Sequence, residues 1–178
     1  GRIAAGAILQ FLHETQKNEL CQLSSITPYL TNKYMLLDSS TRRNLEITET
    51  LREKQKRGSL LWVLDKTKTA MGARLLRSYL EQPLIDVDEI RLRQNAIRRL
   101  NESVMNREEL REYLNPVYDL ERLISKVGYQ SANARDLLAL KQSLEMIPPI
   151  RQILKEYPDG ILKEIYEEMD ELTDLYQL

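Results

Sequence analysis

The sequence lacks a charge excess of either sign. Its 26 basic and 27 acidic residues leave a net charge of −1, whereas a free-standing nucleic-acid binder usually carries a basic surplus to meet phosphates. There is one cysteine, Cys21, and one histidine, His13. An internal disulfide framework is therefore excluded, and a Cys/His zinc site nearly so. A reducing, cytoplasmic setting fits. No apolar run approaches the roughly 20 residues that cross a bilayer. The opening GRIAAGAILQFLHE has neither the long apolar centre nor the cleavage pattern of a signal peptide. Neither G-x-x-x-x-G-K-[ST] nor G-x-G-x-x-G occurs, so both glycine-rich nucleotide cradles are missing. No repeat or low-complexity tract is evident. With 178 residues, 42% hydrophobic and 30% charged, the chain can build one domain with a real core, or two small ones.

What is present is helical spacing punctuated by caps. The pattern predicts a helix over 3–16, with Ile8, Phe11 and Leu12 on one side. Ser24, Ser25, Thr27 and Pro28 break that spacing, and KYMLLD (33–38) suits one short strand. Asp38-Ser39-Ser40 offers N-cap oxygens for a helix through TRRNLEITETLREK, ended by Gly58. SLLWVLDKT (59–67) reads as a short apolar helix with Trp62 in the core. Thr67 or Thr69 caps the next helix, which runs through ARLLRSYLEQ to Pro83 and buries Leu75, Leu76 and Leu80.

Further on, Asp86-x-x-Glu89 resembles a capping box ahead of Ile90, Ile97, Leu100 and Val104. Asn106-x-x-Glu109 opens another helix, Pro116 interrupts it, and DLERLISKV resumes. Leu137, Leu140, Leu144 and Ile147 mark a helix that Pro148-Pro149 kinks or divides. After the turn Pro158-Asp159-Gly160, residues Leu162, Ile165, Met169, Leu172 and Tyr176 form a heptad seam that needs a partner helix. The expected fold is all-α, an irregular helical bundle with one short strand near 33–38. Because the chain stops inside a helical pattern, it reads as a domain over 3–178 cut from a longer protein. Gly1 and Arg2 can be remnants of cloning.

No reactive constellation emerges. His13 lies in a helical pattern with no nucleophile near it in sequence, and Cys21 reads as a small neutral residue. Glu108-Glu109 and Glu167-Glu168 are adjacent on helices and so do not face each other, which suits solvated surfaces better than acid–base work. TKTAMGARLL (67–76) gathers hydroxyls, a glycine and an arginine at a helix start, as an anion site would. It has no Lys-Ser/Thr after its glycine and no clear strand before it, so a structural joint made by Thr67, Thr69, Gly72 and Arg74 is the better reading. Arg74 and Arg77 are expected to pair with carboxylates or another domain. Arg52, Lys54, Lys56 and Arg57 form the best basic cluster and are candidate DNA-backbone contacts, although an ordinary charged face is the better reading of the basic clusters. Arg91, Arg93, Arg98 and Arg99 follow, with Asp86, Asp88 and Glu89 at hand to neutralise them. Interleaved aromatics for stacking on single strands are lacking.

Five stretches carry more information than their periodicity. YMLLDSSTRRNLEI (34–47), LLWVLDKTKTAMGARLLRSYLEQPL (60–84), IRLRQNAI (90–97), DLERL (119–123) and ARDLLAL (134–140) occur in this order. Together they closely resemble the core, or lever, domain of the MutS family of DNA mismatch repair proteins, in its bacterial form, and AAGAILQFLHETQ looks like the helix that opens that domain. The resemblance covers nearly the whole chain. It implies a modular parent protein: a mismatch reader, a connector, this core, a clamp on the DNA backbone, a returning lever helix and an ATPase domain. The implied partners are the other MutS domains, a second MutS subunit, mismatched double-stranded DNA and the MutL protein. The implied cofactors are ATP and Mg in the parent and none here. The chain departs from the full family in having no Phe-x-Glu reader, since its only phenylalanine, Phe11, is followed by Leu-His-Glu. The clamp and the return of the lever would lie after Leu178. The implied role is a non-catalytic coupler between DNA contacts and the ATPase. The alternative is a helical module binding nucleic acid or protein through the basic clusters near 52–57 and 91–99.

Overall fold

Polar caps, more than apolar stripes, decide where these helices begin. The computed structural model describes residues 2–16, 25 and 33–176. Contacts divide the chain into a unit ending at Thr31 and a unit beginning at Asn32. In the first, α1 (Arg2–Gln16) agrees with the expected helix. It is held by Gln10 donating to Glu14 at 2.9 Å and by the Thr15 hydroxyl donating to the Phe11 carbonyl at 2.7 Å. Ile8 and Phe11 on its apolar side are exposed.

The second unit is all-helical among its described residues. It contains α2 (Ser39–Asn44), α3 (Leu60–Leu64), α4 (Ala70–Glu81), α5 (Val87–Glu102), α6 (Val104–Leu114), α7 (Leu120–Gly128), α8 (Ala134–Leu144), α9 (Ile147–Leu154), α10 (Gly160–Glu168) and α11 (Thr173–Tyr176). Asp38, Ser59, Thr69, Asp86, Asp119 and Asn133 each accept a backbone N–H from the first turn of the helix that follows. These caps satisfy donors that have no partner inside the helix. Pro148 and Pro149 occupy the first turn of α9, where a missing N–H costs nothing, so they start a helix and do not kink one.

Helices α5, α6, α9 and α10 pack on one another. Ile150, Ile153, Leu154, Tyr157 and Leu162 are buried between them, with Ala96, Leu100 and Leu114 against the cluster. Helix α7 packs on α8, α8 on α11, and α3 on α4.

Several sequence expectations are corrected here. The strand near 33–38 reduces to a single antiparallel bridge, Tyr34 with Leu84. Met35 N donates to Pro83 O at 2.8 Å and Ile85 N to Lys33 O at 3.3 Å. Pro83 has no N–H to extend a ladder, and α5 begins at Val87.

The helix expected through TRRNLEITETLREK ends at Asn44. Glu46 turns into the left-handed region at φ 48°. The carbonyls of Glu46 and Ile47 then accept the N–H groups of Leu60 and Leu61 at 3.0 and 2.8 Å. The Glu46 carboxylate accepts Leu51 N at 2.6 Å. The first turn of α3 thus competes for acceptors the longer helix would need, and β-branched Ile47, Thr48 and Thr50 resist helix weakly. Gly58 lies in the resulting loop at φ 93°.

Asn106 does not cap a helix. It sits inside α6, and its amide donates to Glu156 at 2.7 Å. The 162–176 seam is not one helix either. Helix α10 stops at Glu168, and Leu172 adopts φ 49°. Asp170 accepts Leu172 N at 3.1 Å. Leu162 is buried in the core, and Tyr166 and Met169 pack on it, so the seam's partner is α5 and α9 of the same unit. Arg151 lies over the Tyr166 ring and pairs with Glu171 at 2.9 Å, holding the break in place.

Candidate functional site

The strongest polar constellation surrounds the start of α4. It begins with Ser59, which is fully buried. Its hydroxyl donates to the Lys56 carbonyl at 2.7 Å and accepts Trp62 N at 3.2 Å. Asp65, just past α3, forms a close ion pair with Lys56. The same carboxylate accepts the Thr67 hydroxyl at 2.6 Å and Thr67 N at 3.2 Å. Thr67 is therefore tied back to α3. Thr69 is the cap of α4, accepting Gly72 N at 3.0 Å.

Gly72 sits where these threonines converge. A Cβ there would lie 3.1 Å from Thr69 Oγ1 and 3.6 Å from Thr67 Cβ. The close approach is to threonine side chains, not to another helix's backbone. Gly72→Ala gains about 1 kcal/mol in helix propensity against modest crowding, and should stay near wild-type stability. Gly72→Val adds branches that must displace the Thr69 hydroxyl. It should cost about 1 kcal/mol, within the usual range for a lost cap. Equal urea midpoints for the two variants would show that the glycine is not required by space.

One turn further on, Arg74 leaves the helix and reaches Asp119, 45 residues away, with a two-pronged contact at 2.7 and 2.8 Å. It also pairs with Glu121. Asp119 is at the same time the cap of α7, accepting Arg122 N at 3.4 Å. Next to it, Tyr118 N donates to the Ser143 hydroxyl at 2.9 Å, and that hydroxyl donates to the Ala139 carbonyl at 2.7 Å. Ser143, on α8, is buried. Three polar groupings thus follow one another along the chain: Lys56 with Asp65 and Thr67, the Thr69 cap of α4, and Arg74 with Asp119 beside the Ser143 contact of α8. Arg111 of α6 touches the first through the Lys66 carbonyl at 3.5 Å. Leu76 and Leu80 of α4 are half-buried, but Leu75 is exposed, contrary to the buried face expected for it.

The charges in these groupings are mutually stabilised. Hydrogen bonds from Lys56 and then Thr67 hold the Asp65 carboxyl at a pKa of about 2. Arg74 first, and then the Arg122 backbone, hold Asp119 at about 2 as well. Asp119 and then Glu121 push the Arg74 guanidinium up. Both acids are bound more weakly to protons in the folded chain, so acid favours unfolding. The thermal midpoint should be level above about pH 5 and fall between about pH 4 and about pH 2 as these pairs protonate. Asp65→Asn combined with Asp119→Asn should flatten that fall. An unaltered profile would place the acid sensitivity elsewhere.

All four residues of the basic cluster are exposed; Lys56 is engaged with Asp65, whereas Arg52, Lys54 and Arg57 have no ion-pair partner among the described residues. In the second cluster, Arg91 faces Asp88 at 3.8 Å and Arg99 pairs with Asp159 at 2.5 Å. Arg93 lies 3.8 Å over the Tyr79 ring. Trp62, read from sequence as core, is 47% exposed, and this overturns that assignment. His13 is exposed on α1, and Cys21 lies outside the described residues. Glu108 faces Arg107 and Arg111, and Glu167 faces Lys163, as surface pairs. Among the described residues no group of His, Cys, Asp and Glu could hold a metal ion, and no helix is long and apolar enough to cross a membrane.

Asp65, Asp119, Glu121 and Ser143 were not legible as site residues. Asp119 does carry a local signal, a polar residue ahead of an apolar helix after Pro116. That signal identifies a cap and says nothing of Arg74.

A family profile described as MutS domain III matches residues 40–177. The DNA mismatch repair protein MutS of Lachnoclostridium phytofermentans is 64% identical over 98% of this chain and 19% of its own length. The MutS proteins of Caldanaerobacter subterraneus and Acetivibrio thermocellus are 51% and 47% identical, over 97% and 98% of this chain and 20% of their own lengths. The chain thus spans about a fifth of the curated relatives it matches.

Proposed function

Because the chain belongs to the MutS domain III family, we propose that it is the non-catalytic coupling element of a DNA mismatch repair protein. In this reading it joins the parts of the parent that grip mismatched DNA to a distant ATPase domain. The proposed domain is residues 3–178, and the proposed setting is the bacterial cytoplasm. ATP and Mg would be bound by the parent, outside this stretch, and the parent's second subunit and MutL would be its protein partners.

The observation that carries the reading is the Arg74 contact with Asp119 and Glu121. It joins the second turn of α4 to the start of α7, across 45 residues. Helices resist bending because their backbone bonds are internally satisfied, so a fork between two helix starts can pass displacement from one to the other. Coupling also requires two states with different contacts, and this pair is the contact proposed to differ.

The test uses the parent protein. Arg74→Glu should abolish the effect of mismatched DNA on ATP hydrolysis while leaving hydrolysis without DNA nearly intact. Pairing it with Asp119→Arg and Glu121→Arg should restore part of the coupling. If Arg74→Glu left the DNA effect unchanged, the joint would not be on the coupling route. A direct DNA-backbone role for Arg52, Lys54, Lys56 and Arg57 is the second reading. It is supported by the exposure of all four and weakened by the engagement of Lys56 with Asp65.

A further inference from the structure

Two side chains among the described residues are almost completely enclosed, and both are serines. Ser59 caps its own helix. Ser143 lies in the last turn of α8, 1% exposed, beside buried Leu144. Serine is a poor choice for such a place. Alanine is the better helix former, and a buried hydroxyl is costly unless it is hydrogen-bonded. The Ser143 hydrogen is committed to the Ala139 carbonyl, one turn back, at 2.7 Å, which is ordinary for a helical serine. The other bond is not ordinary. The oxygen is left as an acceptor, and it takes Tyr118 N from a different element at 2.9 Å.

Tyr118 belongs to the connector from α6 to α7, residues 115–119. Asn115 N and Val117 N donate back to Glu112 and Leu114 of α6, each at 3.2 Å. Pro116 has no N–H to give. The Tyr118 bond is therefore what ties the connector's backbone to α8. The next residue is Asp119, its Cα about 3.8 Å further along. Asp119 meets a demanding partner. The planar Arg74 guanidinium makes two parallel contacts with it, at 2.7 and 2.8 Å. Such a fork tolerates little displacement, because a hydrogen bond that lengthens or bends weakens steeply.

We propose that Ser143 is the positioning residue of the Arg74–Asp119 joint: by holding Tyr118 N, its hydroxyl sets the place from which Asp119 meets Arg74 and ties the joint to α8. Ser143 contacts neither charged group and acts through the backbone at Tyr118. Its consequence for mismatch coupling rests on the function proposed above. If the joint passes displacement between α4 and α7, α8 is the third helix whose shift reaches it.

The acid limb of the thermal profile separates positioning from plain packing. Asp119 faces Arg74 from α4 and Arg122 from its own helix, and Glu121 shares Arg74 with it. On α8, Asp136 is held by Lys126 at 2.7 Å. The Asp119 carboxyl is kept low mainly by Arg74, so its stabilising effect is present above its unfolded pKa and is lost as pH falls. Loosening the fork brings the folded pKa closer to the unfolded one and shrinks that loss. The whole chain is melted at about pH 6 and about pH 2.5 with Ser143→Ala, and with Ile153→Val as a packing control in the α9 cluster. Both should lower the midpoint at the higher pH. Only Ser143→Ala should shrink the fall to the lower pH, by about half as much as Asp119→Asn does. Added to Asp119→Asn, it should shrink the fall no further. Ser143→Cys keeps the size but offers sulfur, a weak acceptor. It should act in the same direction, and it carries the test if the alanine variant does not fold. A parallel lowering of the whole profile by the Ser143 variants, as for Ile153→Val, would overturn the proposal. These melts need neither DNA nor nucleotide. An unchanged DNA effect in Arg74→Glu of the parent would end the coupling reading and leave this one standing, whereas parallel profiles would end this one alone.

Discussion

Asp119→Ala should lower the stability of the chain by about 1–3 kcal/mol, mostly through its cap. The carboxylate accepts the Arg122 N–H at the start of α7 and both prongs of Arg74. Loss of an Asp cap costs roughly 1 kcal/mol, with a range of about 0.5–2. The pair with Arg74 adds less. Arg74 is 42% exposed and Asp119 16% exposed at their side chains, and solvent screens a contact of this kind. Asp119→Asn is the informative companion, because an amide oxygen still caps while the charge is gone. It should fall between wild type and alanine. Urea denaturation reads all three. If alanine and asparagine were equally stable, the cap would contribute nothing. If asparagine matched wild type, the ion pair would be neutral for stability, though it could still serve coupling in the parent.

Leu154→Ala should have the largest effect on stability, about 2–5 kcal/mol, the range for large-to-small changes in a packed core. Leu154 is 5% exposed and lies with Ile150, Ile153, Tyr157 and Leu162 where α5, α6, α9 and α10 meet. The same change at Leu138, which is 60% exposed on α8, should stay within about 0.5 kcal/mol. Similar losses at the two positions would mean that burial along this chain does not follow the packing described here. The contrast also separates the core from the polar joint. A core variant lowers stability at every pH, whereas the joint variants change the acid limb of the profile.

Legibility followed the range of each interaction. Capping acts within four residues, so Asp86 could be placed from its neighbours alone. At Thr67 and Thr69 the sequence left two candidates, and Asp65 decides between them by holding the Thr67 hydroxyl at 2.6 Å. Apolar spacing located helix faces less well. On α5, Ala96 and Leu100 meet the core while Ile97 is 67% exposed. The small residue faces the core and the larger one lies outside. Spacing gives no warning of that, because it counts hydrophobicity and not the space available.

The amino-acid order by itself determined that this chain is helical in class and has no glycine-rich nucleotide cradle, with several helix starts marked by Ser, Thr and Asp. Those features are local, and a few neighbouring dihedrals and hydrogen bonds suffice to express them. Tertiary structure decided the rest. It ended α2 at Asn44 because α3 takes the carbonyls of Glu46 and Ile47. It broke the 162–176 seam at Leu172 because Tyr166 and Met169 pack on the core beside α9 while Arg151 draws Glu171 to it. It brought Arg74 to Asp119, and it left Trp62 in the open. Each outcome is a competition between distant groups for one acceptor, one cavity or one countercharge. Such competitions are settled only when the chain has closed on itself.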